Sequence, residues 1–194
     1  CLRRTTTMAN KDSAFGLRPI GKVGQNKDNQ GLSEYSIAAS ATAIFQGDPV
    51  EILSTGTIGV AAASDALLGP LNGVFFTDAS TSKPTFANHL KASNTATDIV
   101  GFVSDDPYER FEVQSDDATA AADVGLNADI VYSSGAAPNF ISKVELDHSD
   151  LKTGTAQLRV IGISKDPENN EAGSANVNLV VIINEHQLKG TTGV

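Results

Sequence analysis

Tryptophan is absent from this 194-residue chain, and cysteine and methionine each occur once. With Cys1 as the lone cysteine, no disulfide can form within the chain. Nor can a tetrahedral zinc ligand set be assembled from one cysteine and three dispersed histidines, His89, His148 and His186. Aromatic residues contribute only 6%, so the core must be built from Ile, Val, Leu and Ala, and a sugar-binding platform of stacked rings is disfavoured. No run approaches the roughly 18 consecutive apolar residues that a membrane span requires. Arg3 and Arg4 are not followed by an apolar segment of signal-peptide type, so the expectation is synthesis in the cytoplasm. Phosphate loops are missing as well: GTIGV and GKVG lack both the lysine-hydroxyl ending and the GxGxxG spacing.

What the chain does have is turn chemistry between short apolar runs. Residues 43–61, AIFQGDPVEILSTGTIGVA, hold apolar runs at 43–45 and 50–53, split by Gly47-Asp48-Pro49, and a third run at 57–61 after a second turn. Pro49 fixes its own φ and biases Asp48 towards extended backbone, and Val50 and Ile52 alternate with Glu51 as in a half-buried strand. The device recurs. Residues 99–103 precede Asp105-Asp106-Pro107, and Phe111 and Val113 then alternate with Glu112 and Gln114 in what reads as the returning strand. Residues 66–76, ALLGPLNGVFF, read as two runs broken by Gly-Pro and by an Asn-Gly turn. Further strands are expected at 32–39, 128–132, 140–146, 155–164 and 177–183, the last being the most apolar and therefore central. Ser115, with Asp116 and Asp117 behind it and alanines following, marks the best helix candidate, over 115–124. The sum is about nine to eleven short strands and one short helix, a mainly β fold of barrel or sandwich type. Residues 77–97 read as a polar loop without sustained period, a length usually reserved for interaction.

Charge is segregated. Residues 1–27 carry six bases against Asp12 alone, +5, whereas the remainder holds eight bases and 22 acids, −14. A basic arm on an acidic body suits attachment to an acidic surface. Without interleaved aromatics the arm does not read as a nucleic-acid binder. The domain reading is an extended basic arm over 1–35 and a β-rich body over 36–194. Met8 reads as a natural start, with residues 1–7 as an extension. Phe15, Leu17, Ile20 and Val23 are spaced along the arm as apolar pegs, either in a loose tail or in a segment that orders against a partner.

Candidate chemistry is sparse. Asp147-His148-Ser149-Asp150 lists the members of a hydrolytic triad, but adjacent residues on one loop cannot adopt its geometry, which draws on separate elements. The pairs Asp105/Asp106 and Asp116/Asp117 have the oxygens a hard cation prefers, yet a turn and a helix start account for them without metal. The expectation is a protein that is not an enzyme and has no cofactor, metal or catalytic residue.

Taken together, MANKDSAFGLRPIG, AIFQGDPVEI, DIVGFVSDDPYERFEVQ, AQLRVIGISKDPEN and the ending VIINEHQLKGTTGV resemble a group of tailed-bacteriophage virion proteins described as head-decoration, or cement, proteins. The resemblance covers nearly everything from Met8 to Val194. It implies a β-rich structural protein on the outer capsid surface of the virion, often a trimer, that ties major capsid protein subunits together. It implies no membrane and no nucleic-acid partner. On that reading Phe15, Leu17, Ile20 and Val23 bury apolar area against the capsid or a neighbouring subunit, and Arg18 and Lys22 supply the electrostatic complement. A tail or adaptor component of the virion and a ligand-binding β adhesin module are the alternative classes.

Overall fold

Alternation of β-branched residues with polar ones yields sheets, and almost no helix survives beside them. The computed structural model describes residues 9–24 and 31–190. Their thirteen strands are β1 (Arg18–Lys22), β2 (Ser33–Ser36), β3 (Pro49–Ile52), β4 (Ile58–Val60), β5 (Gly69–Thr77), β6 (Pro84–Ala87), β7 (Val100–Val103), β8 (Glu109–Gln114), β9 (Asn127–Ala128), β10 (Ile130–Val131), β11 (Glu145–Leu146), β12 (Leu158–Ile163) and β13 (Asn178–Ile183). One sheet runs β1-β8-β13-β12-β9, a second runs β2-β7-β5-β3-β4 with β6 added on β5, and β10 pairs with β11 as a ribbon. The strand pairings within these sheets are antiparallel. The class is mainly β and sandwich-like, and it is not a closed barrel.

The most apolar run takes the middle of the first sheet, as its composition predicts. β13 places Leu179, Val181 and Ile183 in a core with Phe111 and Val113 of β8 and Leu158 and Val160 of β12. Ile130, Val144 and Leu146 cover that face from the β10–β11 side. A second core, with Ile37, Val50, Ile58, Leu71, Val74 and Val103, fills the other sheet. A single parallel bridge between Ile37 and Ile58 brings its outer strands β2 and β4 towards each other, so this sheet rolls. Gly101 lies inside the roll, where an added Cβ would meet Ile37, Ile58 and Leu71 at 3.0–3.1 Å.

Several expectations are corrected. Ser115–Val124 is not a helix: Ser115 bridges to Leu146 and its N–H donates to Val177 O (2.9 Å), so sheet-like pairing takes the backbone that a first helical turn needs. Only a single 3-10 turn forms there, at Ala121–Asp123. Asn72-Gly73 is not a turn but a bulge inside the nine-residue β5, where Leu71 pairs with Val103 and Gly73 with Phe102. β5 is therefore long enough to pair with β3, β7 and β6 in succession. The polar segment 77–97 contains β6, so it is a hairpin arm and not a structureless loop. After Asp105-Asp106-Pro107 the chain does not return beside β7: β8 enters the other sheet, between β1 and β13. Residues 43–45 do not pair in a hairpin with β3; Ile44 bridges to Leu90. The 1–35 arm is not separate from the body in its described part, because β1 is a strand of the first sheet and β2 begins at Ser33. Residues 1–8, 25–30 and 191–194, including the extension at 1–7 and Lys27, lie outside the described residues.

The Gly47-Asp48-Pro49 turn is where the parts meet. Leu17 N–H donates to Gly47 O (2.9 Å), Gly47 N–H to Leu71 O (2.8 Å), Leu71 N–H to Asp48 O (2.9 Å) and Ser142 N–H to Gln46 O (2.8 Å). Such approach requires glycine on both sides. Gly16 (φ +73) would put a Cβ 2.3 Å from Gly47 O, and Gly47 (φ +89) would put one 2.6 Å from Phe15 O. Asp48 is fully buried, and its Oδ2 accepts from Phe45 N–H at 2.8 Å. Oδ1 has no hydrogen-bond partner within bonding geometry. Burial pushes its carboxyl up to about 6, with the Ser142 hydroxyl, the Phe45 N–H and the Tyr132 hydroxyl opposing the shift.

A carboxyl held above its unfolded value stabilises the fold fully below pH ~4, and that contribution is lost as pH rises through about 6. Asp48→Asn keeps an acceptor for Phe45 N–H and removes the charge. It should be more stable than the wild type at pH 7.5, by at most about 3 kcal/mol. The gap should close towards pH 4. Urea denaturation of both proteins across this range checks it, and a gap that is constant with pH refutes the assignment.

Candidate functional site

The residues singled out in the sequence, Phe15, Leu17, Arg18, Ile20, Lys22 and Val23, fall on one outer strand and its flanks, yet they divide among core, ion pair and surface. Leu17 is 1% exposed and belongs to the chain's own first core, so it is corrected from a binding peg to a core residue. Its burial follows from the bond between Leu17 N–H and Gly47 O, which turns the side chain under the sheet.

Arg18 and Lys22 are both engaged internally. Arg18 pairs with Glu112, its Nε–H donating to Oε2 at 3.1 Å, and its guanidinium lies 4.5 Å from the centroid of the Phe15 ring. The Arg18 side chain is 54% exposed and that of Glu112 only 7%, so the arginine brings compensating charge to a carboxylate the fold has buried. The Ser164 hydroxyl also donates to Glu112. Lys22 Nζ lies 2.7 Å from Asp106 Oδ2. The ammonium and the Tyr108 N–H hold the Asp106 carboxyl below its ordinary range. These cations fasten β1 to β8 and the 104–108 connection.

Ile20 and Val23 remain outward. Ile20 is the extra residue of a bulge, since Pro19 pairs with Phe111 and Gly21 with Arg110. The bulge and the proline break the outer edge of β1, two devices that blunt open-ended strand addition. Val23 N–H donates to Tyr108 O (2.8 Å), and Lys189 Nζ stands 5.0 Å from the Tyr108 ring centroid. Ile20, Val23, Tyr108 and Leu188 are 45–58% exposed. Beside Phe15 and Arg18 opens a groove of about 490 Å³ between the two sheets, also lined by Leu32, Gln46, Asn72 and Ile141. The arrangement offers a preformed apolar edge with its charges already paired. Such a surface suits contact with a protein better than capture of a small ion.

Sequence reading missed a second exposed apolar group. Phe86 on β6 is 75% exposed, and its ring packs on Phe75 of β5 at 4.7 Å between centroids. Phe86 falls inside the 77–97 segment, whose polar composition read as a loop and concealed β6.

The remaining chemistry-bearing residues have structural employment. His148 sits in a 3-10 turn, His148–Asp150, with its N–H on Asp116 Oδ1 (2.8 Å) and its Nδ1 3.2 Å from Thr119 Oγ1; Ser149 Oγ–H donates to Asp147, not to the histidine. His89 stacks between Phe140 (3.9 Å) and Phe45 (6.2 Å), and burial, with Lys91 nearby, lowers its basicity. His186 is buried against the 105–106 turn, and desolvation lowers its basicity despite Asp105 and Asp106. Asp105 Oδ2 accepts from Tyr35 Oη–H (2.7 Å). Among the described residues no group of three or more His, Cys, Asp or Glu is placed to hold a metal ion. No described helix is long and apolar enough to cross a membrane.

Comparison with protein-family models, curated proteins and solved structures returned no match.

If Arg18 serves Glu112, Arg18→Ala should cost about 1–2 kcal/mol by leaving a buried carboxylate without its cation. Adding Glu112→Gln should recover most of that loss. Denaturation of the single and double variants checks it. An Arg18→Ala protein as stable as the wild type would return the arginine to a purely external role.

Proposed function

We propose that this chain is a structural protein of a tailed-phage virion, one that binds the outer surface of the capsid and stabilises it by bridging major capsid protein subunits. The sequence resemblance supplies the class. The observation that carries it at residue level is the β1 edge. Ile20 on β1, Val23 just beyond its end and Tyr108 just before β8 are exposed beside a strand whose backbone is paired to β8 and whose cations are already fixed by Glu112 and Asp106. A surface held rigid in this way loses little side-chain entropy on contact, which suits many weak and repeated contacts in an array. The contact is mainly apolar, because Arg18 and Lys22 act first within the chain.

The edge meets the capsid or a neighbouring copy on its surface. Full-length protein added to purified capsids lacking it should bind at a copy number comparable to the shell protein, with density outside the shell in a particle map. Ile20→Glu with Val23→Glu should weaken binding at least tenfold while leaving the thermal midpoint within a few degrees of the wild type. A few copies at one vertex, or at the tail, would favour the tail or adaptor reading. Undiminished binding by the double variant would remove the β1 edge from the contact.

A further inference from the structure

The C-terminal segment 185–190 is held to the body as a strap, and one buried histidine organises it. Leu67 N–H donates to Glu185 O and Gln187 N–H to Leu67 O, both at 2.9 Å, which seats the strap beside the β4–β5 connection. Ile52 N–H donates to Gln187 Oε1 (2.6 Å), and Gln187 Nε2 donates back to Ile52 O (3.1 Å). β5 pairs with β3 only at Pro49 and Val50, so the glutamine amide takes the place of a neighbouring strand at Ile52. His186 is 3% exposed. Its carbonyl accepts from Lys189 N–H (3.0 Å) and Gly190 N–H (3.1 Å), and its Nδ1 accepts from Leu188 N–H (3.1 Å). That last bond fixes the tautomer: Nδ1 offers a lone pair, so the ring proton is on Nε2. No acceptor among the described residues reaches Nε2.

We propose that His186 is a proton-sensitive latch: a proton taken up by its ring opens the 186–190 turn and frees the strap from β3 and Leu67. The neutral ring has one lone pair, and Leu188 N–H occupies it. A second ring proton can bind only there, so protonation and the Leu188 bond exclude each other. Asp105 and Asp106 attract the new charge from the connection between β7 and β8, while Lys189, in the strap itself, repels it. Both carboxylates already have partners, Tyr35 Oη–H on Asp105 and Lys22 Nζ on Asp106, so neither is an idle counter-ion. Glu185 precedes the histidine, and Glu51 and Asp65, on the elements that the strap crosses, act on each other. Relief therefore comes by moving the ring out of its site, because a buried charge without its own partner is costly. Desolvation lowers the basicity of the ring below its ordinary value of 6.5 despite the two carboxylates. The fold thus favours the neutral ring: the strap's stabilisation is complete above pH 6.5 and is lost as pH falls through the lowered value. Opening strips Ile52 N–H and C=O of their partner, uncovers Leu67, and carries Lys189 away from the Tyr108 ring, whose centroid is 5.0 Å from its Nζ in the closed form. Acid therefore remodels the surface beside Val23 and Tyr108.

The latch belongs to the chain alone and works whether or not the chain binds a capsid. Two measurements on the full-length protein test it. Nitrogen NMR shifts of the His186 ring should show the Nε2–H tautomer at about pH 7.5 and a second ring proton by about pH 5. Over the same interval the amides of 187–190 should exchange at least about tenfold faster, after correction for intrinsic rates, while those of β13 keep their protection. His186→Asn offers Leu188 N–H a neutral acceptor and has no proton to gain, so its strap should stay protected throughout. Asp48, pushed up to about 6, titrates in the same range, and the opening should therefore persist in Asp48→Asn. A ring that stays neutral down to about pH 4.5 overturns the proposal, as does one that gains its proton with no change at 187–190. The same opening in His186→Asn also overturns it. Should that variant not fold, the ring shifts and strap exchange of the wild type decide.

Discussion

The crossing of residues 15–17 over the Gly47-Asp48 turn is the constraint on which the rest of the structure depends. At that point the N-terminal segment, β5 and the 141–144 stretch all hydrogen-bond to three consecutive residues, 46–48. The contact is between backbones, so it tolerates no Cβ at Gly16 or Gly47. It also sets the environment of Asp48, which is buried because three segments close over it. The carboxylate completes the turn through Phe45 N–H, and the cost of burying it is borne by the packing around it. Two cores that would otherwise be separate units are thereby joined through one short turn. Ala61 and Leu67, from the β4–β5 connection, extend the join by packing into the first core.

The crossing also decides the character of the N-terminal edge. Once Leu17 is drawn under the sheet, β1 must lie beside β8, and Arg18 then falls opposite Glu112. Glu112 is buried in the middle of the sheet, where an uncompensated carboxylate is costly. Arg18 answers it from the exposed side, with Phe15 beneath its guanidinium. The basic character of the arm is therefore partly consumed inside the molecule. What faces outwards is Ile20, displaced by the bulge, and Val23, beyond the strand end. Sequence charge alone overstates how electrostatic this surface is.

Much of the fold was legible because its signal is local. Alternation around Val50 and Ile52, the Asp-Pro turns and the apolar run of β13 each specify their conformation within a few residues. The failures have a common cause in long-range pairing. Ser115 has the side chain of an N-cap, but Leu146 and Val177 claim its backbone from 31 and 62 positions away, which no window over 115–124 contains. Asn72-Gly73 has hairpin-turn chemistry, and the same freedom at glycine serves a bulge when β7 lies alongside. Nothing near Leu17 distinguishes a core residue from a binding peg. The distinction comes from Gly47, thirty residues later. The position of the candidate edge was thus readable, and the division of its residues between core, ion pair and surface was not.

That division bears on how such a surface functions. An edge strand with a continuous row of free backbone groups invites indiscriminate strand addition, and Pro19 with the Ile20 bulge interrupts that row. With backbone pairing blunted and the two cations committed, what the β1 edge presents outwards is the shape of a few apolar side chains. The Phe75–Phe86 pair on the second sheet is likewise carried by paired strands, β5 and β6. Both surfaces are built on sheets tied to one backbone crossing, so they are held at a fixed mutual geometry.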